Sequence, residues 1–145
     1  MIGLDTNVLV RYDVEDDADA ETTRQREAAR TLVDGGRPCA VSITVVLELE
    51  WVLRGHYGFD PTDVMRALRH LLSVPWVNVG DREVVERAIA GAEAGLDFAD
   101  ALHHATYRDC TAVVTFDDRR FARRARRLAM RPAVIVPGPG ALPGG

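Results

Sequence analysis

The sequence contains four acidic residues at positions suited to chemistry: Asp5, Glu48, Asp100 and Asp117. Asp5 directly follows the apolar run Ile2–Leu4, and Asp117 directly follows the run Ala112–Phe116. Both are therefore predicted at the carboxyl ends of strands, the edge at which open α/β sheets bind ligands. Aspartate is also a favoured N-cap, so helix capping explains either residue equally well when each is considered alone.

Glu48 is predicted on the apolar face of a helix spanning Thr44–Arg54. Its neighbours at helical spacing are mostly apolar, and no basic residue stands one turn before or after it. Glu50 is predicted on the opposite side, where it forms an ordinary exposed ion pair with Arg54. A carboxylate on a buried face is costly unless it is paired or bound to a cation. We therefore interpret Glu48 as functional rather than structural.

Asp100 is predicted in the first turn of a helix spanning Phe98–Asp109, with Asp97 as its N-cap. Compensation of the helix dipole explains an acid at this position well. However, Asp100 lies opposite the apolar stripe of this helix, on the same face as His103 and His104. These histidines could bind a metal, although a solvated helix face is the commoner explanation. Asp100 is thus a candidate that gains weight only from the other acids.

If these four carboxylates converge at one edge of a parallel sheet, they repel one another, and the sequence contains no lysine to neutralise them. A hard divalent cation with oxygen ligands would hold such a group together. Carboxylates with Mg²⁺ or Mn²⁺ suit phosphodiester hydrolysis, because the metal activates water and offsets negative charge on the phosphate. The residues therefore predict a site for Mg²⁺, or Mn²⁺, and hydrolytic chemistry.

Strand-like runs alternate with helical patterns along the chain, which predicts an α/β fold with a central parallel sheet of four to five strands. The predicted strands are Ile2–Leu4, Cys39–Ile43, Trp76–Val79, Ala112–Phe116 and Ala133–Val136. The predicted helices are Ala20–Val33, Thr44–Arg54, Pro61–Ser73, Arg82–Ala94, Phe98–Asp109 and Arg119–Ala129. The length of 145 residues favours one domain, over residues 1–136, followed by a flexible Pro- and Gly-rich tail, 137–145.

The composition limits both the location of the protein and its chemistry. Cys39 begins one strand-like run and Cys110 precedes another, and both are expected to be buried and reduced, as in a cytoplasmic protein. Neither a signal segment nor a membrane-spanning run of about 18 apolar residues is predicted. All 18 basic residues are arginines. Without lysine, Schiff-base chemistry and a Walker-type phosphate loop are excluded.

The net charge of −4 combines two different segments. Up to Asp118, 22 acids face 11 arginines, whereas the other 7 arginines lie between Arg119 and Arg131 without an acid. On a helix over Arg119–Ala129, arginines cover one side and small apolar residues the other. Guanidinium groups bind phosphate well, so this side is expected to contact an RNA backbone or an acidic partner rather than only water. The residues expected to bind RNA are Arg119, Arg120, Arg123, Arg124 and Arg127.

The order and spacing of four motifs resemble those of PIN-domain ribonucleases, and specifically of the VapC-type toxins of bacterial toxin–antitoxin pairs. The motifs are Leu4-Asp5-Thr6-Asn7-Val8-Leu9, Val41-Ser42-Ile43-Thr44-Val45-Val46-Leu47-Glu48-Leu49, Asp97-Phe98-Ala99-Asp100-Ala101-Leu102 and Val114-Thr115-Phe116-Asp117. The resemblance covers nearly the whole chain, from Met1 to about Val136. It implies a three-layer PIN fold and a metal-dependent endoribonuclease that leaves a 5′-phosphate and a 3′-hydroxyl.

The resemblance also implies roles for individual residues. Asp5, Glu48, Asp100 and Asp117 would be the catalytic, metal-binding quartet. Thr6 matches a family hydroxyl residue that orients the first carboxylate or a water. The family has one acid after Phe116 where this chain has Asp117 and Asp118, and strand geometry favours Asp117. Whether Asp97 joins the metal site stays open.

The implied partners are an RNA substrate and a cognate antitoxin, and a homodimer is expected. No membrane association is expected. An apolar stripe of Met65, Leu68, Leu71 and Leu72 fits either the core or a dimer contact. The alternatives are a non-catalytic PIN-like RNA-binding or protein-interaction module, and a PIN nuclease that acts on DNA. A phosphoacceptor domain is disfavoured, because there is no lysine and no second acid beside Asp5.

Overall fold

The computed structural model describes residues 1–16 and 18–139. The chain divides into two compact units, Met1–Arg82 and Glu83–Gly145, and each is described by itself. Within the described residues, no helix is both long enough and apolar enough to cross a membrane. Of the predicted tail 137–145, residues 140–145 lie outside the described residues.

The first unit contains a three-stranded parallel sheet in the order β1-β2-β3. Its strands are β1 (Ile2–Gly3), β2 (Cys39–Val41) and β3 (Val77–Val79). Its helices are α1 (Thr6–Asp13), α2 (Ala20–Asp34), α3 (Ile43–Trp51) and α4 (Pro61–Ser73), and a π-helical turn, Val52–His56, continues α3. In the register, Cys39 lies between Ile2 and Val77, so β2 is the central strand. The helices α1 and α3 follow β1 and β2 and therefore begin at the carboxyl edge of this sheet.

Short polar residues determine where the helices of this unit begin. The Asp19 carboxylate accepts a hydrogen bond from the backbone N–H of Thr22 at 2.7 Å at the start of α2. Ser42 caps α3 in the same manner, and Asp60 caps α4 ahead of Pro61, whose fixed φ suits the first helical position. Each cap satisfies a backbone donor that lacks a partner within the helix. These caps fix the positions at which the chain turns from strand to helix.

The core of the first unit is aliphatic and tightly closed. Leu9, Leu49, Leu53 and Leu68 are all fully or almost fully buried. The stripe on α4 is also buried, with Met65, Leu71 and Leu72 no more than 7% exposed. The alternative that this stripe forms a dimer contact is therefore wrong, because the stripe packs inside its own unit.

A polar network joins three helices of the first unit. The Tyr12 hydroxyl donates to Asp34 Oδ1 at 2.7 Å and lies 2.9 Å from His70 Nε2. Since the hydroxyl has one proton, His70 Nε2 must carry the proton of the second hydrogen bond. The Tyr12 and His70 rings also stack, with their centroids 6.0 Å apart. Burial, followed by the hydrogen bond to Asp34, raises the pKa of Tyr12 above its usual range, so the network keeps its donor at neutral pH.

Asp13, the last residue of α1, is expected to destabilise the fold at neutral pH. Burial raises the pKa of Asp13 from 3.8 to about 7. Between these two pH values the folded state holds a proton that the unfolded state has lost, so stability falls as pH rises through this window. Asp13→Asn should remove that fall and raise the free energy of unfolding at pH 8 by up to about 4 kcal/mol.

Urea denaturation of wild type and Asp13→Asn at pH 4 and pH 8 tests this prediction. The surface variant Asp63→Asn, which loses only the exposed pair with Arg66, serves as the control and should change stability by less than about 1 kcal/mol. A wild-type stability that stays constant from pH 4 to pH 8 would contradict the assignment of a raised pKa to Asp13.

The second unit combines helices with a two-stranded parallel sheet, β4 (Ala112–Val114) and β5 (Ala133–Ile135). Its other elements are α5 (Arg82–Glu93), which begins at the last residue of the first unit, α6 (Phe98–Thr106), a π-helical turn over Asp118–Ala122, and α7 (Arg123–Arg127). Gly91 lets α5 and α6 approach closely, because an added Cβ there would lie 3.1 Å from Ala101 Cβ. Phe98, Phe121 and Val134 contribute to a closed core.

Parallel strands alternating with helices confirm the α/β class, but the prediction of one sheet of four to five strands is wrong. The hydrogen-bonded ladders join three strands in one unit and two in the other. Each ladder spans only two or three residue pairs, and the partners lie at least 21 residues apart in sequence. Local patterns show where a strand occurs but not which strand it pairs with. The prediction of two buried cysteines is also half wrong, since both are free but Cys110 is exposed.

Candidate active site

In the first unit, Asp5 and Glu48 line one cleft of about 270 Å³ at the carboxyl edge of the sheet. Asp5 follows β1 and caps α1, and its Oδ1 accepts a hydrogen bond from the backbone N–H of Thr6 at 2.8 Å. Capping and chemistry are therefore compatible, because one carboxylate oxygen satisfies the helix while the side chain stays exposed. Thr6 is 4% exposed and also lines the cleft. Of the predicted site residues, the structure therefore places Asp5, Thr6 and Glu48 in this cleft.

The prediction that Glu48 is buried and Glu50 exposed is wrong, because the structure shows the reverse. Glu48 is exposed, whereas Glu50 is 4% exposed and accepts a hydrogen bond from Arg54 Nε at 2.7 Å. The buried side of α3 and its π-turn includes Val46, Leu49, Glu50 and Leu53, which have the spacing of an amphipathic helix. The ion pair of Glu50 was predicted correctly, but it lies at the core and not at the surface. Glu48 is left free to face the cleft.

Among the other residues that line the cleft, sequence reasoning missed Arg11, His56 and Tyr57. Arg11 Nε donates to Gln25 at 2.8 Å, and its Nη1 lies 3.5 Å from the Tyr57 hydroxyl. These contacts hold a guanidinium group in the same cleft as the two carboxylates. The available signals were the spacing of four between Asn7 and Arg11 on α1, and from Glu48 to Val52 to His56. The π-helical turn that positions His56 has no comparable sequence signature.

In the second unit, Asp117 lies just beyond the carboxyl end of β4. Its Oδ1 accepts a hydrogen bond from the backbone N–H of Arg120 at 2.9 Å, so Asp117 caps the π-helical turn. Its own N–H donates to the Thr115 hydroxyl at 3.1 Å. Asp117 therefore lies between the end of β4 and the arginine-rich segment Arg119–Arg131, which we call the basic segment.

Asp97 is the N-cap of α6, as predicted, and its Oδ1 accepts from the backbone N–H groups of Ala99 and Asp100 at 3.0 and 3.3 Å. Asp100 lies in the first turn and is half-buried. Burial raises the pKa of Asp100, with the charges of Asp97 and Asp117 as further causes. Asp100 and Asp117, both predicted site residues, thus interact electrostatically within this unit. A carboxylate in such surroundings would be stabilised by a cation.

Asp97→Asn is expected to lower the pKa of Asp100. Asparagine caps a helix as well as aspartate, so the turn should persist while the second-largest cause of the raised pKa disappears. The pKa should remain above its ordinary value, because burial is the largest cause. A titration of the Asp100 carboxyl carbon by NMR measures the effect, and Asp109→Asn, an exposed change on the same unit, is the control. An unchanged midpoint in Asp97→Asn would show that Asp97 does not act on Asp100.

The interpretation of His103 and His104 as a solvated face is wrong for one of them. His103 is exposed, but His104 is 3% exposed and its Nε2 lies 2.8 Å from the Pro132 carbonyl oxygen. Because a carbonyl only accepts, His104 Nε2 must be the donor in this hydrogen bond. His104 thus has a structural partner, which ties α6 to the residue before β5.

The basic segment has the two-sided character that its sequence predicts. Phe121, Ala122 and Ala125 are buried, at most 6% exposed. The arginines expected to bind RNA are exposed except for Arg124, which is partly buried; they are Arg119, Arg120, Arg123, Arg124 and Arg127. The regular helix is shorter than predicted, because Asp118–Ala122 forms a π-helical turn and Ala129 adopts φ +52° after the helix ends. Ala129 is exposed rather than buried.

The donor chemistry suits a hard divalent cation, since the candidate ligands are all carboxylates. Asp5 with Glu48, and Asp100 with Asp117, form two acidic pairs. Among residues 1–16 and 18–139, no group of three or more His, Cys, Asp or Glu side chains is arranged to hold a metal ion. If such a pair held Mg²⁺, which keeps several waters, the two carboxylates would leave its other coordination positions to water and substrate.

Comparison with known proteins identifies the family of the chain but not the roles of its residues. None of the curated proteins compared with the chain matched it. The PIN domain family matches residues 2–127, which include all four predicted acids and most of the basic segment. PIN domains are in general metal-dependent nucleases, so the match supports a phosphodiester hydrolase. The chain belongs to the PIN domain family.

Proposed function

We propose that this protein is a metal-dependent endoribonuclease and the toxin of a VapBC-like toxin–antitoxin pair. The observation that carries the proposal is the position of Asp117. This family acid caps the turn from which the exposed arginines extend, and no acidic residue follows Asp118. A carboxylate next to closely spaced guanidinium groups fits a phosphodiester substrate, because the acid can bind a cation and the arginines can bind phosphate.

In this proposal Asp5, Glu48, Asp100 and Asp117 hold Mg²⁺ or Mn²⁺. The bound cation would activate water and offset the negative charge on the reacting phosphate. Thr6, whose backbone N–H holds Asp5 Oδ1, fixes the orientation of that carboxylate. Arg11 lies in the cleft of Asp5 and Glu48 and supplies positive charge to a phosphate there. Support for the roles comes from the family's motif order and from the two acidic pairs.

The basic segment is proposed to hold the RNA backbone. Arg119, Arg120, Arg123 and Arg127 are exposed on one segment. One planar guanidinium group can donate two hydrogen bonds to the oxygens of a phosphate. Because these arginines are exposed, they can contact the backbone of a substrate of any sequence. The same surface fits an antitoxin with an acidic segment, which would block access of RNA. The antitoxin and a homodimer remain proposals, and sedimentation equilibrium would measure the latter directly.

Substrate class is tested by incubating the protein with RNA and DNA of identical sequence, each single- and double-stranded. We expect RNA cleavage with Mg²⁺ or Mn²⁺, no cleavage in EDTA, and 5′-phosphate ends on the products. Preferential DNA cleavage would overturn the choice of RNA while keeping a nuclease. No cleavage of any substrate, at any metal concentration, would favour a non-catalytic binding module.

The toxin role is tested by inducible expression in a bacterial host, alone and together with any small protein that an adjacent reading frame encodes. Growth arrest by the wild type, and its relief by the co-expressed protein, are expected. Growth arrest should be absent for the Asp5→Asn variant. Normal growth with abundant active wild-type ribonuclease would contradict the toxin role without affecting the enzymatic one.

A further inference from the structure

Phe116 is exposed to an extent that the packing of the second unit does not explain. The phenyl ring is 85% exposed, whereas Phe98 and Phe121 of the same unit are 3% and 6% exposed. Single apolar residues do occur on protein surfaces. Phe116, however, directly precedes Asp117 and stands at the carboxyl end of β4. It therefore lies at the predicted site rather than at an arbitrary surface position.

The backbone on both sides of Phe116 is held in place. The Thr115 N–H donates to the Ile135 carbonyl oxygen at 3.0 Å and so extends the ladder between β4 and β5. The Phe116 carbonyl oxygen accepts from the Asp118 N–H, also at 3.0 Å. Along the strand Val113 is buried and Val114 is 49% exposed, so the alternation places Phe116 on the exposed side. The ring thus stands on a fixed backbone with its faces open to water.

The chemistry around this ring indicates its ligand. Asp117 follows the ring directly, and Arg119 and Arg120, three and four residues after Phe116, are exposed. No acidic residue occurs from position 119 onward. An apolar protein segment that covered the ring would have to take these guanidinium groups out of water without compensation. An unpaired nucleotide offers both a flat face for the ring and a phosphate for the arginines.

We propose that Phe116 is a stacking platform for one unpaired nucleobase of the substrate, next to the phosphate bound by the basic segment. This inference rests on the proposed function, because it assumes that RNA is the ligand. Stacking on an aromatic ring tolerates any base but requires that the base be unpaired. The platform therefore selects single-stranded RNA, and it fixes the position of the strand relative to Asp117.

Binding of a 12-nucleotide unpaired RNA in EDTA tests the proposal without any need for cleavage. Phe116→Ala should weaken binding roughly 5- to 150-fold, the range measured for loss of one stacked base. Phe116→Trp should retain full affinity, while Phe116→Leu should lose nearly as much as Phe116→Ala, because it is apolar but has no π-face. Val114→Ala, an exposed change on the same strand, is the matched control and should have little effect.

A scan with single abasic nucleotides makes the test specific. One abasic position should weaken wild-type binding by about the same factor as Phe116→Ala, and should have no further effect on that variant. Full affinity of Phe116→Ala, or of Phe116→Leu, would overturn the proposal, the latter because it indicates an aliphatic contact of the kind a protein partner makes. Independent, additive effects of the two changes overturn the stacking role while the ribonuclease proposal stands. A wild type that neither binds nor cleaves RNA removes both.

Discussion

Replacing Asp5 by asparagine is expected to lower RNA cleavage by more than about 100-fold. Asparagine has the size of aspartate and caps helices equally well, so the hydrogen bond from the Thr6 N–H should persist. Only the negative charge that would bind the cation is lost. Changes to residues that merely support metal ligands typically cost about 10- to 100-fold, so loss of a ligand should cost more. The same result is expected for Asp117→Asn, which retains its cap on Arg120.

The fold must be shown to survive these replacements. The melting temperature of metal-free Asp5→Asn should be unchanged or higher, because one charge beside Glu48 has been removed. Asp19→Asn is the matched control, since Asp19 caps α2 through its carboxylate just as Asp5 caps α1. It should leave cleavage unchanged. Wild-type activity in Asp5→Asn would exclude this carboxylate from the mechanism.

Neutralising four of the exposed arginines of the basic segment is expected to weaken RNA binding on the order of 100-fold near physiological salt. The variant changes Arg119, Arg120, Arg123 and Arg127 to glutamine. Arg124 stays in place, because its charge acts on the pKa of Asp100. Each lost phosphate contact should reduce the slope of log K against log salt concentration by about 0.7 for a single strand, so the slope should fall by roughly 3 in total.

The kinetic consequence separates binding from chemistry. If the arginines only hold the backbone, the quadruple variant should have a raised KM and a nearly unchanged kcat at saturating RNA. Arg24→Gln combined with Arg66→Gln is the control, because these exposed arginines already pair with Glu21 and Asp63. An unchanged salt slope in the quadruple variant would show that RNA does not contact this surface.

The positions of the elements could be predicted from sequence, whereas the pairing of the strands could not. The bounds of α4 were predicted correctly, because Asp60 and Pro61 mark its start and a regular apolar stripe runs to its end. By contrast, the number of strands in each sheet depends on contacts between distant segments, on which periodicity carries no information. The π-helical turns were also missed, since a helical wheel assumes a constant rotation of about 100° per residue.

Within the candidate site, the identity of the acids was easier to predict than their surroundings. Asp5 and Asp117 follow strands, and that adjacency is readable from sequence alone. Glu48 was predicted to be buried because its neighbours at helical spacing, Trp51 among them, are mostly apolar and that side of the helix was expected to face the core. Trp51 is 61% exposed, and the buried stripe is centred on Leu49 instead. A wheel gives relative directions, but it does not show which side meets the rest of the protein.

Isothermal titration calorimetry of the metal-free protein with Mn²⁺ tests the proposed role of the four acids, which is to bind a divalent cation. The wild type should bind Mn²⁺, and Asp5→Asn and Asp117→Asn should each weaken binding by more than about tenfold. Asp19→Asn should bind as the wild type does. A wild type that binds no Mn²⁺, or equal affinity in the wild type and both site variants, would contradict metal binding by these acids.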